Sequence, residues 1–266
     1  METNNRLGPR ERTFLTSIAG EGKRIFQFEH ALPYWTSAHQ ARKALSRLER
    51  KGWLRRLERG LYLLIPLEAG PEGNWSEDPL VIANQLVPDG AGAYWSALHY
   101  WNMTEQVPST VFVQTVTRRN TPYSEILGVR YQFVTIKQER FFGILSQTVD
   151  GMSFSITDRE KTIVDSMARP DLSGGIMLLA ESLSSVSEVD WVKLDNYLER
   201  FGSGAVYKRL GYLIERLDVD IPNRDQIIIE WLGRLTQGIA WLEPGGERNG
   251  PVKTRWRIRA NVKGLV

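Results

Sequence analysis

SAHQARKALSRLERKGWLRRLERGLYLLIP, residues Ser37 to Pro66, is the stretch on which the reading of the whole chain turns. Ala41, Ala44, Leu45 and Leu48 recur at i, i+3, i+4 and i+7, so they form one stripe of a 3.6-residue helix, and that stripe packs inward. Ser37 followed three residues later by Gln40 makes a capping-box start, and Gly52 is placed to end the helix in the left-handed conformation that other residues resist. The spacing therefore predicts a helix from Ser37 to about Lys51.

The opposite face of that helix carries His39, Lys43, Ser46 and Arg50, flanked by Gln40, Arg42 and Arg47. These side chains can donate to base edges and phosphates. A solvated basic face is the plain alternative, and the following residues favour the sharper reading. Trp53–Arg56 and Leu61–Ile65 are β-prone runs joined through Leu57-Glu58-Arg59-Gly60, a tight hairpin expected to gather Arg55, Arg56 and Arg59 at its tip. Upstream, Pro9 suits the first position of a helix containing Phe14, Leu15, Ile18 and Ala19, and a shorter helix over about Gln27–Leu32 is stopped by Pro33. Helix, helix, basic helix, hairpin is the order of a winged helix-turn-helix.

Charge is distributed in agreement with that reading. Residues 1–66 hold 13 Lys and Arg against 6 Asp and Glu, and residues 247–266 hold 6 against 1, whereas the middle of the chain is acidic and the whole carries only +3. Basic ends suit a polyanion. The absence of cysteine removes disulfides and thiolate metal sites, and His30, His39 and His99 are too scattered to begin a zinc site, so no cofactor and no metal is expected. No apolar run approaches the length of a membrane span and the start of the chain is polar, so the expectation is a cytoplasmic protein with no membrane partner.

Glu68–Trp75, with Gly70-Pro71 and Gly73-Asn74, reads as a linker between domains of residues 1–70 and 76–266. Beyond it, helices are expected from Ser76 to about Leu86 and over Tyr94–Trp101, with strands at Val111–Thr117, Val129–Ile136 and Met152–Ile156. Thr157-Asp158-Arg159-Glu160 reads as a capping box opening a helix to about Met167. Four helical patterns follow, at about 175–185, 190–200, 204–217 and 224–237. The fold class expected is α+β: a winged helix-turn-helix, then a mixed α/β domain to about residue 170 with a helical extension.

Near the C-terminus, Lys253, Arg255, Arg257 and Arg259 alternate with Thr254, Trp256, Ile258 and Ala260. In one strand the four cations would share a face, either as a second anion-binding surface or as protection of a sheet edge.

Two constellations invite catalytic readings. Gly202-Ser203 with Asp218-Val219-Asp220 loosely follows the metal-binding pattern of nucleotidyltransferases, but the residues between them form an amphipathic helix that ends at Asp218, which makes helix-end roles the better account. Asp158, Glu160 and Asp165 suggest a nuclease cluster, yet the expected acid followed by Glu-x-Lys is missing; capping and surface roles explain all three.

Three phrases stand in one order: Gly52–Tyr62, Ala93–Leu98 and Ile156–Asp165. With them the sequence resembles the AbiEi family of antitoxins from type IV toxin–antitoxin systems, over roughly residues 10–220. The resemblance implies an N-terminal winged helix, a larger C-terminal antitoxin domain, repression of its own operon through inverted repeats in double-stranded DNA, and action against a nucleotidyltransferase-like toxin without needing a stable complex with it. DNA contact carries over to His39, Gln40, Arg42, Lys43, Ser46, Arg47, Arg50, Arg55, Arg56 and Arg59. A nucleic-acid enzyme that uses the winged helix for targeting is the alternative; no catalytic residues are assigned.

Overall fold

The computed structural model describes residues 6–70, 75–185 and 188–265, so residues 71–74 of the expected linker lie outside the described residues. The chain is α+β and divides into two compact units, residues 1–78 with 126–128, and residues 79–125 with 129–266.

The first unit begins with α1 (Pro9–Gly20), where Pro9 takes the first turn and the Gly8 amide donates to Glu11 Oε2 at 3.1 Å. Strand β1 (Ile25–Gln27) leads into a 3-10 segment, Phe28–Tyr34. The sequence expected an α-helix ended by Pro33, but the tighter 3-10 turn accommodates the proline inside it. Next come α2 (Ala38–Arg50), β2 (Leu54–Glu58) and β3 (Leu61–Leu64), with β3 central in an antiparallel sheet of order β1-β3-β2. Phe14 sits at the middle of the core, in edge contact with Phe26, Tyr34 and Trp35 at centroid distances of 5.5, 5.2 and 5.2 Å. Ala41, Ala44, Leu45 and Leu48 are all fully buried, three of them in the Phe14 cluster.

In the second unit, α3 (Pro79–Leu86), β4 (Gly90–Gly92), α4 (Tyr94–Tyr100), β5 (Thr110–Thr115), β6 (Tyr123–Ile126), β7 (Val129–Thr135), β8 (Ile144–Val149) and β9 (Met152–Thr157) build a mixed sheet of order β6-β7-β5-β4-β9-β8. β5 runs parallel to β7 and antiparallel to β4, and β4 in turn pairs in parallel with β9 through Gly92 and Ile156. α5 (Arg159–Ala168) follows β9 directly, and every residue from Glu160 to Met167 is buried. α6 (Gly175–Ser185), α7 (Trp191–Phe201) and α8 (Gly204–Arg216) pack against it and α9 (Arg224–Gly233) packs on α8, close to the periodic patterns of the sequence. A small sheet of order β10-β12-β11, made of β10 (Ala240–Trp241), β11 (Val252–Lys253) and β12 (Ile258–Arg259), closes the chain.

That last sheet corrects the expected cationic stripe. Lys253 and Ile258 are register partners across a turn, so Lys253, Arg255, Arg257 and Arg259 never form one strand face. Fully buried Trp256 is the reason: its ring packs where a Cβ on Gly211 would lie 2.1 Å away, and its Nε1 donates to Glu215 Oε2 at 2.6 Å. Anchoring that ring folds the segment back on itself. Arg255 donates to Glu215 at 2.9 Å, Arg257 to the Thr236 carbonyl at 3.2 Å and Arg259 to the Gly250 carbonyl at 2.9 Å.

The N-cap of α5 is Asp158, not Thr157: Asp158 Oδ1 accepts from the Lys161 amide at 2.8 Å. The surface role expected for Asp158, Glu160 and Asp165 is overturned, because all three are buried at 3, 5 and 3% exposure. Lys193 on α7 reaches Asp158 Oδ2 at 3.0 Å and Glu160 Oε2 at 2.9 Å, while Glu160 Oε1 accepts from the Asp190 amide at 2.9 Å. Those bonds join the N-terminus of α5 to that of α7. Asp165 instead pairs with Lys161 one turn away, and both are enclosed. Burial pushes the Asp165 carboxyl up to about 6, which the Lys161 ammonium only partly offsets, and burial also lowers Lys161. Among the described residues no group of three or more His, Asp or Glu is placed to hold a metal ion, and no helix is long and apolar enough to cross a membrane.

Candidate nucleic-acid interface

α2 is fixed at both ends. Ser37 Oγ accepts from the Gln40 amide at 3.2 Å, and at the far end Gly52, at φ +78°, turns the chain so that the Trp53 amide reaches the Leu48 carbonyl at 3.0 Å. The capping box is only half formed, since the Gln40 side chain accepts from Thr36 Oγ1 at 2.8 Å instead of reaching back to Ser37. With the apolar stripe buried, His39, Gln40, Arg42, Lys43, Ser46, Arg47 and Arg50 are all exposed.

These residues flank two recesses, one on each side of the helix. The first, ≈ 580 Å³, brings Arg42 and Ser46 together with Arg56 and Arg59 of the hairpin. Arg42 lies over the Phe28 ring at 5.0 Å, which orients its guanidinium without neutralising it. The second, ≈ 770 Å³, gathers Gln40, Lys43 and Arg47 with Arg6, Arg10 and Lys51. Arg6, Arg10 and Lys51 escape a reading confined to one helix face, although the basic balance of the first 66 residues already signalled them.

Glu11 organises the second recess. Its Oε1 accepts from Arg47 Nε at 3.2 Å and its Oε2 from Lys51 Nζ at 2.9 Å, while Lys51 also donates to the Arg6 carbonyl at 2.8 Å. Burial alone would raise the Glu11 carboxyl, but the bonds from Lys51, the Gly8 amide and Arg47 outweigh it and hold the group below the usual glutamate range.

The hairpin differs from the expected cluster at its tip. Arg55 pairs with Leu63 and Arg56 with Tyr62 part-way along the strands, a bulge separates Arg56 from Glu58, and of the three arginines only Arg59 sits in the turn, beside Gly60 at φ +85°. Consecutive strand residues face opposite ways, so Arg56 joins the recess with Arg59 while half-buried Arg55 does not.

Helix, capped basic helix and short hairpin on an aromatic core thus define the first unit of an α+β protein, with an exposed cationic surface along α2. Residues 37–65, the helix and hairpin just described, match the family model described as transcriptional regulator, AbiEi antitoxin. No curated protein matches the chain. The crystal structure of the RV2827C protein from Mycobacterium tuberculosis is similar with a TM-score of 0.69 over 95% of this chain and 92% of that chain, at 15% identity; the likeness is one of fold.

Proposed function

We propose that the first unit is a winged helix-turn-helix that binds double-stranded operator DNA, with α2 as the reading helix and the β2–β3 hairpin as the wing. The observation that carries this reading is the exposed row of donors on a helix whose other face is wholly buried, within the segment that matches the antitoxin regulator family. His39, Gln40, Arg42, Lys43 and Ser46 meet base edges in the major groove. Arg50, Arg56 and Arg59 bind phosphates, Arg47 contributes while tied to Glu11, and Arg55 supports the hairpin more than it touches DNA.

On this reading the protein acts in the cytoplasm as a non-enzymatic regulator and antitoxin of a type IV system. It represses its own operon through inverted repeats and counters a nucleotidyltransferase-like toxin. Residues 1–70 form the DNA-binding domain and 76–266 the antitoxin domain. Arg255, Arg257 and Arg259 hold the terminal sheet together and leave Lys253 as a minor contributor to any second basic surface. Gel-shift titration against the DNA upstream of its own gene, with a promoter reporter beside it, tests the reading. A retarded band that survives excess non-specific competitor is expected, together with lower reporter output; binding that any duplex competes away equally well would overturn it.

A further inference from the structure

β5 and β7 run parallel, and ligands of open mixed sheets are taken at the carboxyl ends of parallel strands. A recess of ≈ 420 Å³ lies at that end of β7, roofed by the last turn of α5 and the end of α7, and it is within the usual size range of small-molecule sites. The DNA-binding surface belongs to the other unit and has no part in it.

Four observations give this recess a chemical character. Lys137 and Arg140, just beyond β7, are exposed at its mouth and form no ion pair among the described residues. The Arg140 guanidinium lies over the Phe201 ring at 4.3 Å, which makes a cationic platform against one wall. Asp165 lines the interior, 3% exposed; Lys161 occupies its Oδ1, and its Oδ2 is buried without a hydrogen-bond partner among the described residues. Gln114 stands in register beside Val134, which lines the recess, so it shares that sheet face; it is fully buried and neither polar atom of its amide has a partner among the described residues. Buried polar groups left unpaired are costly, and Asp165 Oδ2 in the lining, with Gln114 behind it on the sheet face that Val134 shares, marks a place where another molecule completes the bonding.

We propose that this recess is a binding site for a small phosphorylated ligand of the nucleotide class. The phosphate lies against Lys137 and Arg140, the planar base stacks near Phe201 and the Arg140 platform, and a hydroxyl or amino group of the ligand donates to Asp165 Oδ2. Buried Tyr94, held at φ +54° at the start of α4, forms part of the inner wall. A tyrosine in the left-handed region is conformationally strained, and such strain concentrates around ligand sites. The proposal stands independently of the DNA-binding reading.

The test is isothermal titration of the full chain with AMP, adenosine and inorganic phosphate, each at low salt, alongside thermal melting. AMP is expected to bind and to raise the melting temperature in proportion to the logarithm of its concentration, with adenosine and phosphate each weaker. Lys137→Gln and Arg140→Gln remove exposed cations and leave the core intact, and each should weaken AMP by roughly tenfold or more. Asp165→Asn, provided it melts cooperatively, should lose the advantage of AMP over phosphate. Equal affinity for AMP and phosphate, AMP binding unchanged in both cation variants, or no heat with AMP at millimolar concentration would each overturn the proposal.

Discussion

Arg47 Nε rests 3.2 Å from Glu11 Oε1, so one of the cations on the exposed face of α2 is bonded to the N-terminus of α1 within the same unit. Lys51 occupies the other carboxylate oxygen. One buried acid thus fixes the angle between the two helices and sets how far two of the basic side chains extend.

Replacing Glu11 with Gln should cost about 1–3 kcal/mol, because charge-assisted bonds from two cations are lost at a nearly buried site. The sign with pH is fixed by the depressed carboxyl: its contribution is present above the ordinary glutamate range and is lost as pH falls through the lower folded-state value. Chemical denaturation at a series of pH values should show wild type falling toward the variant as the pH drops below roughly 4.5. Parallel curves would remove Glu11 as the organiser.

Lys43→Glu should weaken operator binding by more than about 2 kcal/mol with an unchanged melting temperature, since the side chain is exposed and repulsion replaces attraction. Equal affinity of variant and wild type in a gel-shift titration would take α2 out of the interface.

The enclosed Lys161–Asp165 pair predicts an asymmetry between single and double variants. Lys161→Met alone leaves a buried carboxylate and should cost roughly 3–5 kcal/mol, whereas Lys161→Met with Asp165→Leu should cost much less. Folding raises Asp165 to about 6, so its share of stability is complete at low pH and fades as pH rises through about 6. Urea titrations of the three proteins at pH 5 and pH 8 measure both effects, and additive losses would refute the coupling.

Gly211→Ala places a Cβ 2.1 Å from the Trp256 ring, too close for a small adjustment. A loss of about 1–3 kcal/mol or more is expected, and part of it should return when Trp256→Leu is added, although Trp256→Leu destabilises on its own. A double-mutant cycle by thermal melting reads the coupling; strict additivity would show that helix and ring do not compete for that space.

The sequence made α2 legible because its period, cap and terminal glycine agreed, and Ala41, Ala44, Leu45 and Leu48 are indeed the buried stripe. α6, α7 and α8 were readable for the same reason, since amphipathic helices carry their evidence locally. β4 was not. Its Gly90-Ala91-Gly92 has no strand propensity; it is a strand through pairing with β5 and β9, and glycine is needed there because a Cβ at Gly90 would press on Val87 and one at Gly92 on Leu80. β10, β11 and β12 are two residues long, below any periodic signal, and the alternation around Trp256 suggested a strand where a buried ring enforces a turn. At the basic surface, helix residues could be assigned to a face, but the partners that redirect Arg47 and Arg55 are distant in sequence or set by strand register.

The place of β4 also orders events in time. It bridges β5 and β9, so the six-stranded sheet is not joined until Gly92 meets Ile156, sixty-four residues downstream, and chain closure over that span is slow. The first unit closes over shorter spans, β2 with β3 across an adjacent turn and β1 with β3 through Ile25 and Leu63, thirty-eight residues apart. As the chain leaves the ribosome, the basic helix is therefore assembled while the sheet of the second unit still awaits its partner strand. Nascent chains arrested before residue 156 should already protect the amides of α2 from hydrogen exchange while β4, paired with β5 on one side only, is less protected than in the full chain.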